Sequence, residues 1–568
     1  MGKAVSEDFR LPLIIAFLGI AGMFFAGHQT GRIYPAVLFI FFGTVVLLLG
    51  IALFGGSLFG TVSGAILVAI GYRLSILHVP ATTIGEATTR NAVWMEDVVS
   101  EGTTAVIPSP FYREAPLHIL HSSASAMILD IHSQQTFYIY AILLAIALPL
   151  VAIILARSIG VTQRRALAAA ALLAIATTEG IRRSYWVIPQ AHAAVWYWLI
   201  LLFLMKMVTK PDKRFYEIIL VLTVAIAFTH KLPLLLIALI FVALLGLYFT
   251  DRLIWKDIAG LTPTQQVLSL GALIGSVTLA QWLYIGGHIN HVVARVLRLF
   301  RTDGPVGSSG FEPTAATEAR TGILANFYEY PTWMILYVER LHIFWILLIG
   351  GITWLCLLVY TSDDRHRPEI YVLLAGAAAS VVLIPISVAT VDALNPTRLL
   401  MLGEPILIVL AVGMVAKAVE IAPDNVPWVK LFFVFILATQ VFAASAAPDY
   451  ENTPRYYLDS TEAHSKTMLC EYSEGPVYTD QNYHRVEGID RENCGIFDRY
   501  SREPTDALYN ANVTPSEHPT IAYRHDLDLY QGYNSRWHLT WNPEREFSAN
   551  YSSIYSNEDV TVFHNTRQ

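Results

Sequence analysis

Long apolar runs follow one another along most of the chain. They lie near 11–28, 34–54, 57–78, 136–156, 166–178, 189–208, 215–230, 232–249, 265–286, 342–360, 369–389, 402–419 and 427–446. Each approaches the length of roughly 20 residues that a helix needs to cross the hydrocarbon layer. Residues 11–54 hold a single charged side chain, Arg32. The pattern therefore predicts a polytopic α-helical membrane protein with about thirteen spans. The run 166–178 is short, and 215–230 meets 232–249 at His230-Lys231-Leu232-Pro233.

Basic residues in the short connections set the expected orientation. Arg157, Arg164 and Arg165 follow the fourth run, and Lys206, Lys210, Lys213 and Arg214 lie at or beyond the end of the sixth. Arg252 and Lys256 follow the eighth, Arg365 and Arg367 the tenth. If all thirteen runs cross, these loops share the cytoplasmic side with Lys3 and Arg10. The segments 79–135, 179–188, 287–341, 390–401 and 448–568 then lie outside. Two domains are expected: a transmembrane domain, 1–447, with a first long external loop at 79–135, and an extracytoplasmic domain, 448–568.

Composition sharpens this division. Of 568 residues, 54% are apolar and only 15% charged, against roughly 25% charged in soluble domains. A soluble enzyme, a secreted disulfide scaffold and a disordered chain are all poor fits. The net charge of −7 is uneven: residues 448–568 carry 20 acidic and 10 basic side chains, and the rest of the chain is net +3. Lysine is scarce, with 9 against 29 arginines. An acidic, lysine-poor surface suits concentrated salt, so a halophilic source is expected, an ordinary acidic domain being the alternative. No broad basic surface exists to hold a nucleic acid.

Residues 448–568 mix aromatic, β-branched and polar positions with turn signals at Glu474-Gly475-Pro476 and Trp541-Asn542-Pro543. Asp559-Val560-Thr561-Val562-Phe563 alternates like a strand, and a small α+β domain is expected. Cys356 stands in an apolar run, while Cys470 and Cys494 share the external domain. There a disulfide between them would persist; two free thiols are the other possibility. Asn512-Val513-Thr514 and Asn550-Tyr551-Ser552 are glycosylation sequons on the same side.

The nucleotide, zinc-protease and dithiol motifs of soluble enzymes are missing. Gly304, Gly307 and Gly310 read as a flexible loop. His118, His121 and His132 have no clear metal-ligand spacing and read as interfacial histidines, so neither a metal nor another cofactor is expected. No acid sits mid-span in a way that marks an ion relay. The chemistry is expected in the external loops. The first loop opens Pro80-Ala81-Thr82-Thr83-Ile84-Gly85-Glu86-Ala87. The spacing of Ala87, Trp94 and Val98 predicts an amphipathic surface helix over 86–101, ended by Gly102. Pro110-Phe111-Tyr112-Arg113-Glu114-Ala115-Pro116-Leu117-His118 follows, then an apolar stretch to about Asp130.

An acid opening such a helix, then an aromatic, a charged pair and Pro-Leu, resembles the first external loop of GT-C glycosyltransferases. The nearest likeness is to the protein-mannosyltransferase branch, where the loop begins Asp-Glu-Ala and later reads Phe-Glu-Lys-Pro-Pro-Leu. Here the corresponding residues are Gly85-Glu86-Ala87 and Tyr112-Arg113-Glu114-Ala115-Pro116-Leu117. One acid of the opening pair is absent, and Glu114 stands where the family has lysine.

The resemblance implies transfer of a sugar, mannose first, from a dolichyl-phosphate carrier to a glycan or glycoprotein outside the cell. With the acidic composition it implies N-glycosylation of a surface-layer protein in a halophilic archaeon. Glu86 would take the proton of the acceptor hydroxyl, and Glu114 would orient the acceptor or assist; otherwise both are ordinary interfacial acids. Arg398, in Asn395-Pro396-Thr397-Arg398, also resembles a superfamily position that contacts lipid phosphate. Arg182 and Arg183, external and against the positive-inside trend, are further phosphate candidates. Snorkelling anchors are the plainer assignment for all three. The competing function is a lipid-linked oligosaccharide flippase, which needs polar lining in the spans. An oligosaccharyltransferase is disfavoured because the C-terminal region lacks Trp-Trp-Asp.

Overall fold

The computed structural model describes residues 9–30, 36–54, 56–78, 86–131, 133–176, 188–253, 265–285, 327–329, 368–389, 396–421, 435, 438–439, 458–473, 475–480, 483, 513–525, 529–531, 536–539, 542–557 and 559–565. Three apolar helices open the chain: α1 (Arg10–Thr30), α2 (Ala36–Phe54) and α3 (Leu58–His78). The loop that follows holds α4 (Glu86–Glu101), α5 (Pro110–Glu114) and α6 (Leu117–Leu129). The bundle continues with α7 (Ser133–Ser158), α8 (Arg164–Ile175), α9 (Pro189–Thr209), α10 (Lys213–Ala227), α11 (Lys231–Leu253) and α12 (Gln265–Tyr284). After them come α13 (Pro368–Ala389) and α14 (Pro396–Ile421).

Seven of these helices, α1, α2, α3, α7, α9, α11 and α12, are long and apolar enough to cross a membrane. Their outer faces present bare apolar side chains such as Phe17, Phe25, Leu47 and Val242, which lipid rather than water satisfies. The expected thirteen spans fare unevenly. α8 has twelve residues and α10 fifteen, both under the roughly 17 residues a crossing needs. Leu167–Ile175 is wholly buried, so α8 is a core helix without a lipid-facing side. The expected span 342–360 lies outside the described residues, as does nearly all of 427–446.

One end of the bundle collects the termini of many helices. Tyr138, near the start of α7, donates its hydroxyl hydrogen to the carbonyl of Leu77 at the end of α3, 2.9 Å away. The Leu117 N–H donates to Phe228 O, just past α10, at 3.0 Å. Gln281, near the end of α12, donates through Nε2 to Ala227 O at 2.6 Å. The first loop thus sits on the end where α3, α10 and α12 finish and where α7, α9 and α11 begin. At the opposite end α14 passes so close to the α7–α8 turn that a Cβ on Gly413 would lie 2.9 Å from Ile159 Cδ1.

The C-terminal region is α+β. It contains α15 (Ser460–Tyr472), β2 (Val477–Tyr478), β3 (Thr520–Arg524), β4 (Leu529–Gln531), β5 (Arg536–Leu539), α16 (Pro543–Asn550), β6 (Ser552–Ser556) and β7 (Val560–His564). The main sheet runs β2-β3-β7-β6, with β2 parallel to β3 and the other pairs antiparallel. The strand expected at 559–563 is β7, but its first four residues are buried without alternation. The reason is cover on both faces. Val560, Val562 and Ala522 meet Leu469 of α15, while Phe563 and Tyr523 meet Phe547 of α16. Asn542-Pro543, expected as a turn, starts α16: the Asn542 side chain accepts from Arg545 N–H with proline in the first helical turn.

A second sheet, β1-β5-β4, includes β1 (Phe327–Glu329), paired antiparallel with β5 through Tyr328 opposite His538. The expected boundary at 447/448 is therefore bridged by a strand from the connection after α12.

Charge holds α15 to the main sheet. Arg524 on β3 donates from Nε and Nη2 to the two Asp480 carboxylate oxygens at 2.6 and 2.7 Å, and from Nη1 to Glu462 at 3.2 Å. Glu462 also completes a capping box with Asp459 at the start of α15. Burial alone would lower the Arg524 pKa, but Asp480 and Glu462 more than offset it and hold the group above its ordinary value. Removing one partner leaves two buried carboxylates uncompensated, which costs about 3–5 kcal/mol. Arg524→Ala is expected to open residues 458–565 to protease under conditions where the full-length wild-type protein resists; equal resistance would refute the role.

Candidate functional site

The first loop builds its own small core. Val93, Trp94, Met95 and Val98 of α4 pack with Ile107 and Ile119, and Val106 and Tyr112 close the edge. The helix expected at 86–101 has those bounds in the structure, and Gly102 ends it at φ +66° while its N–H returns to Val98 O. Glu101 is exposed, whereas Glu96 and Asp97 are half-buried rather than fully solvated. The Trp94 and Tyr112 rings meet at a tilt of 45° with centroids 5.7 Å apart, which ties α4 to α5. Glu86 is the first residue of α4, and Glu114, exposed, is the last of α5. Both expected acids therefore start or end a helix anchored by the same core.

Beside this core stands a cation that sequence reasoning did not single out. Lys231, the first residue of α11, places Nζ 5.4 Å from the centre of the Phe111 ring on α5. The preceding His230 is buried and accepts from Leu232 N–H at 3.2 Å, fixing the α10–α11 corner. The interruption at His230-Lys231-Leu232-Pro233 was the available signal. Its meaning depends on the hydrogen bond from Leu117 to Phe228, which sequence does not show.

A second feature departs from an expectation. His118, read as interfacial, is buried, whereas His121 is exposed. His118 is 1% exposed and its Nδ1 lies 3.3 Å from Nδ1 of His192 on α9, one imidazole donating to the other. His121 shares a hydrogen bond with Tyr140 of α7, to which Ser122 also donates, and Trp196 lies 4.3 Å from the His192 ring. Burial, with His121 nearby, pulls the His118 pKa down to about 3, so it is neutral at ordinary pH. No group of acidic, histidine or cysteine side chains among the described residues has the geometry of a metal site. His132 lies outside the described residues.

Arg398 falls in the first turn of α14, which begins at Pro396, six residues before the apolar run. The early start also draws Glu404 into the helix interior, where it is 1% exposed. The apolar-run criterion passed over this buried acid, as it did Arg73 of α3, which is fully buried and donates to Ala69 O at 2.8 Å. Arg182, Arg183 and Cys494 lie outside the described residues. Cys470 on α15 is disulfide-bonded.

No protein-family model matches the chain, and no curated protein does. The solved structures that share part of its course include the following two. The apo oligosaccharyltransferase of Archaeoglobus fulgidus is 12% identical, with a TM-score of 0.46, over 83% of this chain and 70% of that one. ArnT from Cupriavidus metallidurans, bound to undecaprenyl phosphate, is 14% identical, with a TM-score of 0.43, over 93% and 98%. Overlap at this level does not decide a family, and the residues must carry the function.

Proposed function

We propose that the protein is a GT-C-like membrane glycosyltransferase that moves a hexose, mannose first, from dolichyl phosphate to a glycan or glycoprotein outside the cell. The observation that carries this is the placement of α4 and α5. The helix opened by Glu86 and the Glu114 segment form one rigid unit, docked on the bundle end where Lys231 begins α11. An inverting transfer needs a carboxylate to accept the acceptor proton and cations to hold the leaving phosphate. Glu86 is assigned as that base, with Glu114 orienting the acceptor.

Arg398, with Arg182 and Arg183, is assigned to the carrier phosphate. A cation in the first turn of a helix opposes the helix dipole. That position is unfavourable for structure alone, and it suits an anion shared between the guanidinium and the free N–H groups of the helix start. Lys231 is added to this set, since it reaches the same loop.

The loop-bearing end is assigned to the outside. Basic residues cluster in the opposite connections, and residues 285–326 contain no apolar run long enough to return the chain before β1. The pairing of β1 with β5 supports assigning the C-terminal region, 448–568, to that same side, where Cys470 is assigned to pair with Cys494. A flippase would need a polar path through the spans, and most buried side chains among the described bundle residues are apolar, with Arg73, Gln190 and Glu404 among the exceptions.

Surface glycans of a deletion strain, read by mass spectrometry, test the function. A glycan one hexose short is expected. Loss of the entire glycan would point instead to a flippase or an oligosaccharyltransferase.

A further inference from the structure

We propose that Asn550 is itself an N-glycosylation acceptor. The inference rests on the outside placement of the C-terminal region and not on the transferase assignment. Asn550-Tyr551-Ser552 is a sequon, and the fold presents it unusually openly. Asn550 ends α16, Tyr551 is the extended cap at φ −129° and ψ 162°, and Ser552 opens β6. Asn550 and Ser552 are exposed, and Tyr551 is half-buried.

Among the described residues the Asn550 Nδ2 donates only to Glu546, to its carbonyl at 3.0 Å and its carboxylate at 3.2 Å. Glu546 is itself exposed, so releasing the amide costs little, because water replaces both bonds. The hydroxyl that a sequon requires stands two residues on, at the start of a strand whose first three residues are all exposed. The other sequon does not share this support, since Asn512 lies outside the described residues.

The donor is a lipid-phosphate-linked oligosaccharide supplied to the cell's oligosaccharyl-transfer machinery. The Asn550 Nδ2 attacks its anomeric carbon. The new N–C bond forms as the bond from that carbon to the phosphate oxygen breaks, the lipid phosphate leaves with the bonding electrons, and the amide proton is passed to it. The site also has a structural use. β6 is the outermost strand of the order β2-β3-β7-β6, and a glycan beside its start blocks that edge from pairing with another chain.

Glycopeptide mass spectrometry of the full-length protein, purified from its own cells, decides the question. Tryptic cleavage gives the peptide Glu546–Arg567, in which Asn550-Tyr551-Ser552 is the sole sequon. The wild-type peptide is expected to carry a glycan, and both Asn550→Gln and Ser552→Ala to lose it. Both side-chain changes fall at exposed positions, so the protein still accumulates. Recovery of the wild-type peptide only in unmodified form would overturn the proposal, and so would a glycan that persists in Ser552→Ala.

Discussion

Glu86→Gln is expected to abolish sugar transfer while the protein still accumulates in the membrane. Glutamine keeps the shape of the side chain and most of its hydrogen bonding but cannot accept the acceptor's proton. Loss of a general base lowers a rate by roughly 10²–10⁴-fold, well beyond the scatter of a glycan assay. The substitution falls at the first residue of α4, whose fold depends on Trp94, Met95 and Val98 further along, so the loop core should survive. Near-normal glycosylation by Glu86→Gln would remove Glu86 from the site and leave Glu114 or Asp97 to be tried.

Arg398 should separate a phosphate ligand from a membrane anchor. Lysine keeps the positive charge and the long stem but loses the bidentate fork. If Arg398 holds the carrier phosphate, Arg398→Lys should raise the donor concentration needed for half-maximal transfer by about tenfold, the value of roughly 1.4 kcal/mol in binding. Arg398→Ala should nearly abolish transfer. An anchor would tolerate lysine, because its head still reaches the interface. Transfer by membranes at graded donor concentrations distinguishes the two, and an unchanged profile for Arg398→Lys would strike this residue from the site.

Local pattern made several elements legible in the sequence. The helix at 86–101 could be placed because a 3.6-residue spacing and a terminating glycine are both local signals, and the left-handed Gly102 is where they meet. Apolar runs located α1, α2, α3, α7, α9, α11 and α12 for the same reason. They were less informative about depth. α8 reads as a run but is a short buried helix, because alanine-rich core packing and lipid exposure give similar hydropathy.

The site was harder to read because its parts are joined by tertiary contacts. Lys231 is 120 residues from Phe111, and His192 is 74 from His118. No spacing rule connects residues across such distances. The β1 strand is a further case, since three residues of the connection after α12 gain their meaning only by pairing with β5. Arg524, Asp480 and Glu462 show the same limit: each reads as a surface charge in sequence, and only the fold buries them together.

The proposed activity is transfer of a sugar by this chain itself from a dolichyl-phosphate carrier. Its most direct test is to incubate the purified full-length protein, beside Glu86→Gln, with radiolabelled mannosyl-phosphoryl-dolichol and surface glycoprotein from the deletion strain. Label is expected on the glycoprotein with the wild-type protein, and at least about a hundredfold less with Glu86→Gln. Equal labelling by the two proteins, or none by the wild-type protein with a fully competent donor and acceptor, would contradict it.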